Sequence, residues 1–105
     1  MSEHAVIIRF GYGSTDLSPL FELEDQLEAA IEAAGAGDYD GHEIRVDGAD
    51  GTLYAYGPDA DRLFAAMRPV LAATTVLHQV EATLRYGPPE DGVREQVVHI
   101  DGGNE

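Results

Sequence analysis

The chain contains no cysteine, no lysine and no tryptophan. Without cysteine there is no disulfide, no thiolate nucleophile and no Cys-based zinc or iron–sulfur site. The staples of small secreted proteins are thereby excluded. No apolar run approaches the ~20 residues that a membrane-spanning helix requires. The opening segment MSEHAVIIRF has neither a basic n-region nor a long apolar h-region, so no signal peptide is expected and a cytoplasmic location is. Basic side chains are scarce. Lys and Arg together number 6 against 20 Asp and Glu, for a net charge of −14. Such a surface repels phosphate backbones and anionic lipid, which argues against nucleic acid and membranes as partners.

What is present suffices for one domain. The 105 residues are 44% hydrophobic, enough for a real core. Residues 1–100 are expected to form a single α+β domain, and 101–105 a disordered acidic tail. The acidity admits three readings. It can reflect solubility alone, a salt-rich cytoplasm that screens self-repulsion, or a basic protein partner towards which an acidic surface steers.

Periodicity sets the elements. His4 to Phe10 reads as a central strand through the continuous run Ala5, Val6, Ile7, Ile8, closed by Gly11-Tyr12-Gly13. Ser18 followed by Pro19 is an expected N-cap and first helical position. Leu20, Leu23, Leu27, Ile31 and Ala34 then recur at helical spacing as a buried stripe, and Gly35 ends the helix. Its other face carries Glu22, Glu24, Asp25, Glu28 and Glu32. Gly35 to Gly41 reads as a loop. His42–Asp47 and Thr52–Tyr56 alternate in period two around Gly48-Ala49-Asp50-Gly51, as a hairpin does. In this reading Ile44, Val46, Leu53 and Ala55 point one way, and Glu43, Arg45, Asp47, Thr52, Tyr54 and Tyr56 the other. Asp59 is the expected N-cap of a second helix with the stripe Leu63, Phe64, Met67, Val70 and Leu71, which Pro69 should kink or break. Strands over His78–Tyr86 and Val93–Ile100 complete the chain.

The order β-α-β-β-α-β-β is that of a ferredoxin-like split β-α-β two-layer sandwich, an antiparallel sheet with two helices on one face. Strand order 4-1-3-2 follows, with the fifth strand beside the fourth. Strands one and three are expected as parallel neighbours.

No motif identifies a chemistry, and no catalytic residue, metal ligand or cofactor is nominated. Gly11 and Gly13 stand where phosphate loops stand, but no third glycine or lysine follows and Asp16, Glu22 and Glu24 oppose an anion. The four histidines show no i,i+3 or i,i+4 pairing; only His78 and His99 share an end of the last hairpin. The distribution of arginine is more informative. Arg9, Arg45 and Arg85 fall on strands and should face away from the helices, beside Tyr54 and Tyr56. Arg and Tyr are enriched at binding hot spots, so these five residues are the expected partner-binding face. Arg45 opposite Tyr54 would suit a cation–π contact. A second candidate is a shallow ligand pocket at Tyr12, Tyr56 and Asp59, where the first and third strands would end together.

The sequence thus points to a non-catalytic binding or regulatory protein. Its open Arg/Tyr sheet face would take a protein partner or a second copy, as an acidic inhibitor or immunity-like protein would. The alternatives are a small-molecule-binding domain or small enzyme at the Tyr12 site, and a salt-adapted acidic housekeeping domain.

Overall fold

The computed structural model describes residues 3–100; the tail expected to be disordered lies outside them. The elements are β1 (His4–Gly11), α1 (Ser18–Ala34), β2 (Asp38–Ile44), β3 (Asp50–Gly57), α2 (Ala60–Ala73), β4 (His78–Arg85) and β5 (Glu95–Ile100). They form an α+β fold with one antiparallel sheet in the order β2-β3-β1-β4-β5. Among the described residues no helix is long and apolar enough to cross a membrane.

Strand alternation decides what the helices cover. Val6, Ile8 and Phe10 of β1 share a face with Leu53 and Ala55 of β3 and with Val80, Ala82 and Leu84 of β4. These pack with Leu20, Leu23, Leu27 and Ile31 of α1 and Leu63, Phe64, Met67 and Leu71 of α2 in one buried cluster. Each of the larger side chains among them contributes about 1.5–3 kcal/mol by leaving water, so this face holds the molecule together. Ala34, expected at the end of the α1 stripe, is exposed.

The helix ends follow local chemistry. Asp59 caps α2 and accepts from the amides of Asp61 and Arg62. His4 Nδ1 accepts from Ala60 N at 3.0 Å, tying β1 to the same terminus. Gly35, at φ 60°, ends α1 in the left-handed conformation that glycine adopts freely. Ser18 does not cap α1; Leu17 holds that position, and Asp16 Oδ1 accepts from Ser18 N instead. Pro69 lies within α2 without dividing it, because the element runs unbroken to Ala73.

Three expectations change. β2 begins at Asp38, inside the stretch read as a loop, and ends at Ile44. Arg45 and Val46 therefore belong to the turn, where Gly48 N donates to Arg45 O at 2.8 Å and Val46 is fully exposed. Further, β1 and β3 are antiparallel, with His4 opposite Gly57 and Gly11 opposite Asp50. Each strand of the sheet is then joined to its neighbours in one alternating pattern, and the ends of β1 and β3 lie at opposite rims.

Candidate functional site

The face of the sheet away from the helices is a grid of three rows, fixed by register. The middle row runs Tyr54, Ile7, Thr83, Val97. On one side lie Asp38, Tyr56, Ala5, Arg85 and Glu95. On the other lie Glu43, Thr52, Arg9, Glu81 and His99. Ala5 and Thr83 on this face are buried, and Arg9 reaches across to the Thr83 hydroxyl. Val97, at the end of the middle row, is 53% exposed.

Polar contacts run both within and between the rows. Arg9 NH1 donates to Thr83 Oγ1 at 3.3 Å and stands 3.9 Å from Glu81. Glu81 lies 3.8 Å from His99 Nε2 on the next strand. Tyr54 donates its hydroxyl to Glu43 at 2.7 Å, and this bond to a carboxylate raises its pKa above the ordinary tyrosine value. Arg85 Nε donates to Gly87 O at 2.7 Å, which fixes the guanidinium at the rim. Around Arg9 the face dips into a depression of about 470 Å³ bordered by Asp50, Thr52, Gln79 and Glu81. Gln79 holds φ at 52°, where the β1–β4 register shifts by a bulge. A side chain in this left-handed region stores local strain of about 1 kcal/mol.

The five expected partner-binding residues are therefore divided. Arg9, Tyr54, Tyr56 and Arg85 lie on the open face. Arg45 does not; it sits in the β2–β3 turn, 3.6 Å from Asp47, and Gly41 rather than Arg45 is opposite Tyr54. The pocket expected at Tyr12, Tyr56 and Asp59 does not assemble. Tyr56 is level with Ala5, whereas Tyr12 follows Gly11 at the other rim, roughly 20 Å along β1 at the usual strand rise. Tyr12 is buried and donates to Asp16 O, while Asp59 is occupied in capping α2. The amides of Gly13 and Ser14 both donate to Gly48 O, so the glycine loop spends its donors on the β2–β3 turn. His99 faces Glu81 and His78 faces Gly11, which separates the two histidines of the last hairpin. Among the described residues no group of three or more His, Cys, Asp or Glu could hold a metal ion.

One cluster escapes sequence reasoning. Glu24 Oε2 accepts from the Tyr39 hydroxyl and lies 2.9 Å from His42 Nδ1. The Glu24 and His42 side chains are only 13% and 25% exposed, so solvent screens their contact weakly. Burial, then the hydrogen bond to Glu24, pushes the Tyr39 pKa far upward, and the hydroxyl stays protonated. Phe21 covers the imidazole with a centroid separation of 5.9 Å. Beside it lies a cavity of about 320 Å³ bordered by Thr15, Leu17, His42, Ile44, Arg45 and Val46. A bulge at Asp40 builds the cluster: Tyr39 is opposite Ala55 and His42 opposite Leu53, so both turn towards α1. The signal was present in α1, where Glu24 stands four residues after Leu20 and seven before Ile31, on the buried stripe.

In comparison with known proteins, no family model, curated protein or solved structure matches this chain.

Proposed function

We propose that this chain is a non-catalytic binding or regulatory protein that docks a protein partner on the open face of its sheet. The observation that supports the reading is the makeup of that face. A row of Tyr54, Ile7 and Val97, with the buried hydroxyl of Thr83 between the last two, is flanked by Arg9, Arg85 and Tyr56. Tyrosine and arginine side chains around an apolar residue are the usual makeup of a hot spot. The partner's chemistry follows from charge. With −14 overall and Glu43, Asp50, Glu81 and Glu95 around the face, the fitting surface has an apolar centre and a basic rim. An acidic inhibitor or immunity-like protein acts in this way, and a cytoplasmic setting suits a chain without cysteine.

The framework supporting this reading is a ferredoxin-like sandwich extended by one strand. It rests on the order β2-β3-β1-β4-β5 with both helices packed into a single core on one face.

The test is capture from host extract with the wild-type chain and with the Arg9→Ala/Tyr54→Ala double variant. A partner held through the open face is retained by the wild type and by an α1 control, Glu28→Gln/Glu32→Gln. It is lost by the double variant, whose melting curve stays close to wild type. Equal retention by both variants would refute the reading.

A second reading has its own observation. Glu24 holds His42 by Nδ1, which leaves Nε2 as the ring atom available to the neighbouring cavity. A carboxylate-oriented imidazole beside apolar side chains suits a small-molecule site. Shifts of the His42 ring resonances on adding small organic carboxylates, absent in Glu24→Gln, would favour it.

A further inference from the structure

The two outer strands of the sheet are not alike. β2 is interrupted by the bulge at Asp40 and carries Asp38, Asp40 and Glu43, features that discourage pairing with another chain. β5 has an unbroken register with β4, contains neither proline nor lysine, and exposes Val97. Among the described residues nothing pairs with its outer side.

The hydrogen-bond phase of β5 can be assigned. Tyr86 N donates to Arg94 O at 2.9 Å, and the pairing Arg85 with Glu95 continues that register. In an antiparallel ladder the bonded pairs alternate. Residues 94, 96, 98 and 100 therefore exchange bonds with β4. The amides and carbonyls of Glu95, Val97 and His99 point off the edge, and their side chains lie on the open face.

We propose that β5 is a self-pairing edge through which two copies of the chain join into one continuous antiparallel sheet, centred on Val97. A twofold axis normal to the sheet keeps the helices of both copies on the same side and places a residue opposite itself. With Val97 at the centre, apolar meets apolar, and Glu95 of each copy meets His99 of the other. All the outward amides and carbonyls then find partners, giving about six main-chain hydrogen bonds. Centring on Gln96 or Val98 would set Val97 against Glu95 or His99. Centring on Glu95 would set acid against acid. Across the seam, one outer row reads Arg85, Glu95, then His99, Glu81, Arg9 of the second copy, with an acid next to each base. The middle rows join as Tyr54, Ile7, Thr83, Val97 and the same residues reversed.

The seam is short, below the area of a standard stable interface, and two copies of charge −14 repel. The dimer is therefore weak and strengthens with salt, which screens the long-range repulsion more than the close contacts. This inference does not rest on the proposed partner: a chain that stays monomeric overturns the edge pairing and leaves the partner reading standing.

Sedimentation equilibrium of the full chain tests it, over about a hundredfold range of concentration at low and high salt. The expected mean mass rises from one chain towards two, further at high salt. Val97→Pro removes an amide that β4 does not use, so the fold survives while association falls by at least about tenfold. Because the chain lacks cysteine, Val97→Cys supplies a single thiol. Mild oxidation should link it into a covalent dimer at least about tenfold faster than Phe21→Cys, an exposed position on α1. A constant monomer mass, association of Val97→Pro equal to wild type, or equal linking of the two thiol variants would each overturn the proposal.

Discussion

The two edges of the sheet solve the same problem differently. At β2 the chain spends a helix contact on the outer strand. Glu24 reaches from α1 to Tyr39 and His42, and a bulge turns both side chains inward. At β5 the pleat is regular, the inward anchors are Val98, half-buried, and Ile100, and the link to α2 runs through the Tyr86 hydroxyl, which bonds both Asp61 and Gln96. One edge is pinned by a half-buried carboxylate and shielded by acids. The other is held mainly by its ladder and retains an open row of main-chain groups. Stability concentrates at the first edge and availability at the second.

The largest expected effect is at the pinned edge. Glu24→Ala leaves the Tyr39 hydroxyl and the His42 ring without a partner and should cost about 2–3 kcal/mol in denaturant unfolding. Glu28→Ala, exposed on the same helix, should change stability by less than about 0.5 kcal/mol. Equal effects would erase the distinction between Glu24 and the solvated acids around it.

Tyr39→Phe sharpens the same edge through pH. It should cost about 1–2 kcal/mol at neutral pH by removing a hydrogen bond to a charged group. Burial and Glu24 raise the folded-state pKa above the ordinary 10.0. Above pH 10 the unfolded chain therefore releases a proton that the folded chain keeps, and stability falls as pH rises. The wild type should lose stability above pH 10 more steeply than Tyr39→Phe, and parallel curves would contradict this.

At the other edge, Val97→Lys should leave monomer stability within about 0.5 kcal/mol, because the side chain is half in water. Its effect should be confined to association, read by sedimentation. Loss of monomer stability comparable to Glu24→Ala would mean that β5 is pinned as β2 is. The smallest effect concerns Arg45. Arg45→Ala breaks only an exposed pair with Asp47 and should move the melting temperature by less than about 1 °C at any salt concentration.

The elements with strong periodicity could be read directly from the residues. β1 announced itself by an unbroken apolar run, and both helices by their leucine stripes, because burial there demands side chains that no other position tolerates. Only the end of β2, from His42, could be read, since Asp38, Asp40 and Gly41 carry turn chemistry and the fit of Tyr39 and His42 against α1 is what makes the first part a strand. Arg45 was expected on a face it does not reach because β2 ends at Ile44 and the chain turns there. Taking β1 and β3 as parallel joined Tyr12 to Tyr56; the hairpin and the crossing helices instead make them antiparallel. On the open face, Arg9, Tyr54, Tyr56 and Arg85 were readable because alternation about Val6, Ile8, Leu53 and Leu84 leaves them no other side. The Glu24 cluster was hidden because a lone carboxylate among many gives no compositional sign of burial.

The central place of β1 carries a consequence for how the molecule is made. The first of the sheet's strands to be synthesised is paired on one side with β3 and on the other with β4, as in Ala5 opposite Tyr56 and Arg85. Its neighbours thus lie about fifty and eighty residues downstream, so loop closure must precede the contacts that repay it and folding should be slow for so small a chain. Until β4 emerges, Val6, Ile7 and Ile8 form an uncovered apolar margin, the segment most exposed to misassembly during synthesis. The dense negative charge of α1, emerging directly behind that strand, keeps nascent chains apart during the interval.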